Sequence, residues 1–251
     1  MRILCWNING LRAIHKKGFL QWLEMADADI VCLQETRVLR EELPIELIEV
    51  DDYALYLNPA EKKGYAGVGV YSKEKPKQVD FKLGFEQFDK EGRILKLEYS
   101  DFILINLYLP HGGRQKENLG YKLEVYNHLL KFLKTIKNKK VILTGDFNIA
   151  HQEIDLARPE ENKNSIMFTE DERKQIDKII QLGFEDSFRI FHQQGNNYTW
   201  WPYFAKARER NLGWRIDYIF ISEPLVPEIK NAFILDKIMG SDHCPVGIEI
   251  F

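Results

Sequence analysis

The segment that ends in Asp146 and Asn148 carries residue types suited to hydrolytic chemistry. Residues 141–143 are apolar and indicate a short buried strand, which Gly145 bounds with a turn. In an extended segment, side chains two positions apart point to the same side, so a carboxylate and a carboxamide would be presented together. Such a pair suits the activation of a water and the binding of the oxyanion beside it. Taken alone, the stretch also fits an Asx-turn that closes a strand.

The same arrangement recurs along the chain. Five or six apolar runs each end in a small polar cluster, and four of these clusters carry a carboxylate. One such end is an ordinary loop, but the repetition predicts strand ends that converge on one site at the edge of a sheet or sandwich. The clusters are Asn7/Asn9, Glu35, Tyr108, Asp146/Asn148, Asp217 and Asp242/His243.

Apolar runs alternate with segments of helical periodicity, and the order strand–helix–strand near the N-terminus predicts a sheet covered by helices. Thr169 and Glu172 form a capping-box pattern at the start of one helix, and the polar segment before it, 151–168, is expected to be irregular. The predicted strands are 2–6, 30–33, 53–57, 66–72, 92–99, 101–109, the run at 141–143, 214–221, 229–235 and 245–251. The predicted helices are 16–26, 40–49, 118–137 and 170–182.

Composition indicates a globular protein. The chain has 251 residues, of which 45% are hydrophobic and 29% charged, and no linker-like stretch divides it, so we expect one domain over residues 1–251. The formal net charge of -3 argues against a protein that coats nucleic acid through bulk positive charge. It is compatible with a nuclease, because carboxylates around a cation make the site acidic while basic residues elsewhere hold phosphates.

Cysteine usage and hydropathy bear on the compartment. Cys5 and Cys32 lie in apolar runs, and the third cysteine, Cys244, forms no Cys-x-x-Cys motif with them, so we expect buried, reduced thiols. The N-terminal apolar run is too short for a signal peptide, and no stretch approaches the ~20 apolar residues of a membrane span. We therefore expect a cytoplasmic protein without a membrane segment.

The ordered set of motifs resembles the exonuclease III-type apurinic/apyrimidinic (AP) endonucleases, within the endonuclease/exonuclease/phosphatase superfamily. The motifs are WNINGLRA at 6–13, LQET at 33–36, TGDFN at 144–148, GWRIDY at 213–218 and GSDHCP at 240–245. The resemblance implies an α/β (α+β) fold, a four-layer α/β sandwich of two packed mixed β-sheets flanked by helices. It also implies a monomer that hydrolyses DNA phosphodiesters 5′ to abasic sites with Mg²⁺, and that has 3′→5′ exonuclease and 3′-phosphodiesterase activity. Its partner would be double-stranded DNA with abasic sites or blocked 3′ ends.

The chemistry of Mg²⁺ favours Glu35 as the principal metal ligand, because this hard ion takes oxygen ligands and keeps several waters beside one or two carboxylates; Mn²⁺ is an expected substitute. Asp242 would add a second carboxylate, and Asn7 and Asn9 would contribute amide oxygens or orienting contacts. Some relatives have an aspartate where Asn9 stands, and a neutral residue there should weaken metal binding. Asp146, with Asn148, is an alternative ligand for a second metal.

The catalytic assignment follows from what phosphodiester hydrolysis needs. Asp146 would activate or position the water, and Asn148 would donate to the phosphate. His243 would contact the scissile phosphate, with Asp217 holding its ring and favouring the protonated form. Tyr108 would offer its hydroxyl to a phosphate oxygen or the leaving group. A thiol nucleophile at Cys244 is rejected, because adjacent side chains diverge in an extended segment.

The expected DNA contacts follow the resemblance and the aromatic–arginine stretch at 198–214. Arg114 would insert into the duplex or clamp a phosphate, and His111 stands where asparagine or glutamine is common in relatives. A pocket for a flipped, base-less sugar would be lined by Trp200, Trp214 and Ile216. Contacts to phosphate and sugar would come from Asn162 and Asn164.

Two alternatives remain at this point. Another superfamily phosphodiesterase or phosphatase, acting on RNA tails, inositol phosphates or sphingomyelin, would share the catalytic core but not the aromatic–arginine stretch. A DNA-binding protein without catalysis would not be expected to keep carboxylates at 35, 146, 217 and 242.

Overall fold

The computed structural model describes residues Met1–Phe251, which form twelve strands, seven α-helices and three short 3₁₀ turns. The strands are β1 Arg2–Asn7, β2 Ile30–Gln34, β3 Ala54–Asn58, β4 Val68–Ser72, β5 Gln78–Asp80, β6 Ile94–Glu98, β7 Ile103–Tyr108, β8 Val141–Asp146, β9 Phe184–Asp186, β10 Asp217–Ser222, β11 Ile229–Ile234 and β12 Val246–Ile250. The helices are α1 Leu11–His15, α2 Phe19–Ala26, α3 Ile45–Ile48, α4 Glu86–Lys90, α5 Leu119–Ile136, α6 Glu170–Gln181 and α7 Ser187–Phe191.

The strands form two six-stranded mixed sheets. The first sheet has the order β11-β12-β1-β2-β4-β3 and the second has the order β5-β6-β7-β8-β10-β9. One pair in each sheet is parallel, β1 with β2 and β7 with β8, and the other pairs are antiparallel. The last strand, β12, pairs with the first, β1, so the two ends of the chain lie side by side in one sheet.

Side chains that point alternately to the two faces of each sheet form separate apolar layers, one between the sheets and one beneath the helices on each outer face. In β1, Ile3 and Cys5 face a core that lies between the two sheets, while Leu4 and Trp6 pack with the helices outside the first sheet. The outer face of the second sheet is covered in the same way by apolar residues of α5 and α6, including Val125. The result is the predicted four-layer α/β sandwich of two packed mixed sheets flanked by helices.

A buried polar network ties the two sheets together beneath one end of the sandwich. Gln34 at the end of β2 donates to Asn106 Oδ1 across the interface at 2.6 Å, and the Asn106 amide donates to the carbonyls of Leu33 and Gly69 at 3.1 and 2.9 Å. Because a mispaired buried amide is costly, this network favours one relative register of the sheets.

The three cysteines are free and buried, in agreement with the prediction for the thiols. None of the helices combines the length and the apolar character that crossing a bilayer requires.

Several predicted elements differ from those observed. The expected helix 16–26 is α2, which begins only at Phe19 because Gly18, with a φ of 90°, interrupts the helical backbone. The five-residue helix α1 that precedes it was not predicted. The expected helix 40–49 is a 3₁₀ turn and the four-residue α3, with Pro44 between them. The strand expected from residue 214 begins at Asp217. The short elements β5, α4, β9 and α7 were not predicted, because three to five residues carry too little periodicity to be recognised.

The capping box at the start of α6 is confirmed. The Thr169 hydroxyl accepts from the Glu172 N–H at 3.3 Å, and Glu172 accepts from the Thr169 N–H at 3.0 Å. The preceding segment 151–168 is irregular, as predicted, apart from a 3₁₀ turn at Glu153–Asp155.

Candidate active site

Polar residues converge where the strands of both sheets end at the same edge of the sandwich. In β1, β8 and β10 the positions of Asn7, Asp146 and Asp217 continue the alternation that places apolar side chains in the core between the sheets. Asp146 and Asp217 are direct partners across the antiparallel β8–β10 ladder, so their backbones are fixed opposite each other. The convergence predicted from the recurring polar ends is therefore present.

Gly145 permits the close approach of β7 and β8 that this arrangement needs. Its φ is 143°, and a Cβ atom there would lie 1.9 Å from the Leu107 carbonyl oxygen. Any larger residue would push the two strands apart one position before Asp146.

Glu35, Asp146 and His243 bring one ligand atom each within 4.8 Å of one another. Asn7 lies between the two carboxylates, and its Nδ2 donates to Glu35 Oε1 at 2.8 Å and to Asp146 Oδ2 at 2.9 Å. The Asn7 Oδ1 accepts from the Asn9 N–H at 3.1 Å, which fixes the orientation of the amide. In this structure Asn7 therefore makes the orienting contacts of the two predicted roles: its Nδ2 faces the two carboxylates, and its Oδ1 is turned toward the backbone of Asn9.

Burial, followed by the charge of Asp217, raises the pKa of Asp146 from its ordinary value to about 7. Asp146 is 1% exposed, and Asn7 and His243 offset only part of the penalty. A carboxylate with a pKa near neutrality is suited to accepting a proton from water.

His243 is held by two neighbours and is directed at Asp146. Its Nδ1 lies 2.8 Å from Asp217 Oδ2, and its Nε2 lies 3.9 Å from Asp146 Oδ2. Burial alone would lower its pKa, but the carboxylates of Asp217, Asp146 and Asp242 outweigh burial and raise the pKa to about 10. The ring is therefore an imidazolium at neutral pH, with the Nε2–H free to donate to an anion.

Backbone contacts fix the segment that carries His243. Ser241 Oγ donates to the Asn7 carbonyl at 2.8 Å and accepts from the His243 N–H at 3.2 Å. Trp6 Nε1, 237 positions away in sequence, donates to the His243 carbonyl at 3.1 Å. Ser241 had no predicted role, although it lies within the GSDHCP motif.

Asn148 does not share the extended geometry that the sequence suggested. The strand ends at Asp146, Asn148 has a φ of 51°, and its N–H donates to Asp146 Oδ1 at 2.8 Å, which is the Asx-turn alternative. The Asn148 Nδ2 donates to the Leu109 carbonyl at 2.9 Å. The turn thus fixes the carboxylate of Asp146. The second N–H of the Asn148 side-chain amide remains for another acceptor.

Asp242 and Asn9 form a neighbouring cluster of their own. Asn9 Nδ2 donates to Asp242 Oδ1 at 2.9 Å, and Trp200 Nε1 donates to Asp242 Oδ2 at 3.1 Å. The pKa of Asp242 is lowered, because the His243 cation and these donors outweigh burial. Both Asp242 oxygens accept hydrogen bonds in this cluster, as both Asp146 oxygens do in theirs, and Asp242 lies outside the Glu35–Asp146–His243 group.

The donor set at Glu35 and Asp146 fits a hard divalent cation. Both residues offer carboxylate oxygens, and Glu35 Oε2 faces the half-exposed Arg37 side chain rather than a buried partner. His243 fits less well as a ligand, because a protonated imidazole has no free lone pair. Glu35 with Asp146 is the pair that this geometry offers to a metal.

Tyr108 lies beside Glu35 at the end of β7. Burial raises the pKa of Tyr108 well above its ordinary value, and the adjacent Glu35 charge acts in the same direction. The phenol therefore stays protonated and acts as a hydrogen-bond donor.

An aromatic cluster flanks His243. Trp200 makes an isolated bridge to His243, and the two ring centroids are 6.5 Å apart. Trp214 and Ile216 pack in the same cluster, but they are only 9% and 1% exposed. Phe168, which the sequence did not single out, packs edge-to-face on Trp214 at 6.3 Å. The three predicted pocket residues are thus brought together, with most of their surface already covered.

The remaining predicted DNA contacts lie on two loops. Arg114 is exposed after Gly113, whereas His111 is partly buried, and burial together with the Lys122 ammonium lowers the pKa of His111. Asn162 turns back on its own loop and donates to the Arg158 carbonyl at 2.9 Å.

Asn164 is exposed two positions further along this second loop. The loop is joined to Trp214 by the isolated bridge between Leu156 and Trp214.

A fully buried ion pair supports these loops from below. Lys122 Nζ lies 2.5 Å from Glu172 Oε1 and also donates to the carbonyls of His111 at 3.1 Å and Asn148 at 2.7 Å. Glu172 in turn accepts from the Met167 N–H at 3.0 Å. All three N–H groups of the ammonium donate hydrogen bonds. The loops that contain His111, Asn148 and Met167 are therefore all bonded to this one ion pair.

Cys244 is not placed for nucleophilic chemistry. Its Sγ contacts the Tyr198 carbonyl at 3.8 Å, and burial raises the pKa of the thiol well above its ordinary value. The rejection of a cysteine nucleophile therefore agrees with the structure.

Comparisons with known proteins show which sequences and folds the chain is similar to. Residues 4–243 match the family described as Endonuclease/Exonuclease/phosphatase. The chain is 43% identical over 253 residues to an exodeoxyribonuclease of Bacillus subtilis (strain 168), covering 100% of this chain and 99% of that protein. Its fold matches an AP endonuclease from Archaeoglobus fulgidus with a TM-score of 0.91 and 31% identity, covering 100% and 99% of the two chains. It also matches the 3′ phosphatase NExo from Neisseria, bound to a product DNA hairpin, with a TM-score of 0.91, 29% identity and coverage of 100% and 99%.

Proposed function

Because the chain belongs to the endonuclease/exonuclease/phosphatase family, we infer that it is a metal-dependent DNA-repair nuclease of the exonuclease III type. We propose that it cleaves the phosphodiester 5′ to abasic sites in duplex DNA and also removes nucleotides or blocking groups from 3′ ends. One observation carries the proposal: Glu35, Asp146 and His243 meet within 4.8 Å, with Asp217 bound to the imidazole. The similar proteins named as an AP endonuclease and a 3′ phosphatase support both substrate classes.

The residues divide the reaction between them. Asp146, with its pKa near 7, accepts the proton of the attacking water. The His243 imidazolium donates from Nε2 to a phosphate oxygen and balances the charge that develops there. Tyr108 donates its hydroxyl hydrogen bond to a phosphate or leaving oxygen, and the remaining Asn148 N–H provides a further donor.

The proposed metal is Mg²⁺, with Mn²⁺ as a substitute, held principally by Glu35. Asp146, which the reaction uses as the base, is the alternative ligand for a second metal. Such an ion supplies charge neutralisation at the phosphate. Asn9 and Asp242, which the sequence also offered as metal ligands, instead hold each other and Trp200, so we assign them to the support of His243 and of the aromatic wall.

Trp200 is the proposed face against which a base-less sugar packs, because it is only partly buried and lies beside His243. Trp214 and Ile216 form the floor behind it. Arg114, His111, Asn162 and Asn164 remain the proposed contacts to the duplex. The protein is proposed to act as a monomer, and its free thiols suit the reducing cytoplasm.

The proposal is tested with a labelled duplex that carries one stable abasic-site analogue, alongside an undamaged duplex of the same sequence. We expect Mg²⁺-dependent incision immediately 5′ to the lesion, and loss of incision with chelator or in Asp146→Asn. Asp171→Asn, on the exposed surface of α6, is the matched control and should cleave normally. Hydrolysis of a simple phosphodiester without incision of either duplex would contradict the DNA-repair assignment and favour another substrate for the same core.

A further inference from the structure

Arg93 is a buried cation next to the site, and the reaction outlined above gives it no role. It immediately precedes β6 and is only 4% exposed. Its guanidinium carbon lies 4.5 Å from the centroid of the Tyr108 ring, and its Nη1 donates to the Tyr108 carbonyl at 3.1 Å. The Tyr108 N–H returns a bond to the Arg93 carbonyl at 2.9 Å.

The other side of the guanidinium is braced as well. Nη2 donates to the Tyr65 hydroxyl at 2.9 Å, and the Tyr65 ring centroid lies 5.4 Å from the guanidinium carbon. Nε pairs with the Glu91 carboxylate. Arg93 therefore lies between two tyrosine rings with its charge paired, and its orientation is fixed by four neighbouring groups.

A phenol at the end of a strand keeps freedom about two side-chain torsions unless its ring is packed on both faces. A planar guanidinium stacked on one face restricts that freedom, and the cation–π attraction is strengthened by burial. The Tyr108 hydroxyl oxygen lies beside Glu35, on the long axis of the ring. The χ1 torsion sets the direction of that axis, so it decides whether the hydroxyl reaches the reacting phosphate, and a guanidinium held over one ring face limits the swing of the ring about χ1.

We propose that Arg93 is a positioning residue for the reaction, which acts by holding the Tyr108 ring so that its hydroxyl faces the scissile phosphate. The proposal rests on the role that the proposed function gives to Tyr108. It assigns no substrate contact to Arg93, because each of the three guanidinium nitrogens already donates to a protein group, Nε to Glu91, Nη1 to Tyr108 and Nη2 to Tyr65. Arg93 therefore affects the rate only while the Tyr108 hydroxyl is present.

The test is a double-mutant cycle on the single-turnover cleavage rate, with Arg93→Met, Tyr108→Phe and the combined variant. Cation–π contacts correspond to rate factors of roughly 2 to 30. We expect Arg93→Met to slow cleavage about 10-fold in the unmodified chain but less than about 2-fold in the Tyr108→Phe background. Arg2→Met is the matched control, because Arg2 stacks at 5.4 Å on Phe233 on the other sheet; it should leave the rate unchanged.

Thermal unfolding of every variant separates a folding defect from a positioning defect. If Arg93→Met does not fold, the cycle is run with Arg93→Lys, which keeps the charge but loses the planar stack. About a 3-fold effect is then expected, again absent in the Tyr108→Phe background. An equal loss of rate in both backgrounds would overturn the proposal, because Arg93 would then act independently of Tyr108.

Each rate is measured on the abasic duplex and on a duplex with a recessed 3′ end. Cleavage of either one by the unmodified chain allows the cycle to decide about Arg93, even if incision at abasic sites fails. Cleavage of neither would refute the proposed function and, with it, the role given to Arg93.

Discussion

Replacement of Asp217 by asparagine should make DNA cleavage steeply dependent on pH. In the unmodified protein, the carboxylates led by Asp217 hold the pKa of His243 at about 10, against the opposing effect of burial. Asparagine keeps the shape and an oxygen for the Nδ1–H but removes the charge. The pKa of His243 should then return to about 6.5 or below, so that only ~3% of the rings are protonated at pH 8.

The consequence is measured as the single-turnover rate between pH 7.5 and 9 at saturating metal. The unmodified rate should stay level, because His243 remains an imidazolium throughout. The Asp217→Asn rate should fall about 10-fold per pH unit and be about 30-fold below the level of a fully protonated ring at pH 8. Asp186→Asn tests a different buried carboxylate, which pairs with Arg215 rather than with the histidine, and should keep the level profile.

A histidine NMR titration of the metal-free protein checks the cause directly. The group has a folded pKa above its unfolded value, so its share of stability is complete below about pH 6.5 and is lost as the pH rises toward 10. The difference in unfolding temperature between the unmodified protein and Asp217→Asn should therefore shrink with rising pH. Equal pH slopes of the two rates, or a His243 midpoint near 6.5 in the unmodified protein, would refute this reasoning.

Three further outcomes are expected. Asp146→Asn should abolish cleavage yet raise stability at pH 8 by about 1 kcal/mol in urea unfolding, since the folded pKa lies above the unfolded value and the carboxylate therefore costs stability progressively from about pH 4 and fully above about pH 7; unchanged or lower stability would contradict it. Mg²⁺ at 100 times its Kd should stabilise the protein by about 2.7 kcal/mol, and Glu35→Gln should remove most of this gain in thermal unfolding while Asp242→Asn retains it; the opposite order would place the metal at Asp242. Lys122→Met should destabilise by about 3–5 kcal/mol because Glu172 is left as an unpaired buried charge. Adding Glu172→Gln, which removes the charge but keeps an acceptor oxygen for the buried N–H groups of Met167 and Thr169, should recover part of the loss; a double variant as unstable as the single one would contradict that explanation.

The residues of the site could be predicted from the sequence more completely than the short strands and helices. The convergence of the strand ends could be predicted because side chains along a strand point alternately to its two faces. Asp146 and Asp217 lie an even number of positions from apolar residues that face the core between the sheets, so their side chains point to the same side. The pairing of Asp217 with His243 followed from the chemistry of a histidine that must stay protonated. The four-layer architecture followed from the resemblance, whereas β5 and β9 have three residues each and give no pattern.

Finer roles depended on contacts that no sequence spacing encodes. Asn148 departs from the strand direction because its backbone turns to a φ of 51°, which a residue type alone does not dictate. Asp242 accepts hydrogen bonds from Asn9 and Trp200, which come from distant parts of the chain, so this cluster could not be derived from sequence spacing. Arg93 and Phe168 had no signal beyond a charged residue before an apolar strand and an aromatic residue before a helix cap.

The pairing of the first strand with the last has a consequence for the synthesis of this protein. Trp6 and His243 touch although they lie 237 positions apart, and at about 5–20 residues per second the ribosome makes the second one roughly 10–50 s after the first. Throughout that interval the nascent chain contains Asn7, Glu35 and later Asp146, but not yet His243, which completes the site. A half-made chain therefore has no assembled nuclease, and the capacity to cut DNA arises only when the chain has left the ribosome as far as β12 and this strand has docked beside β1.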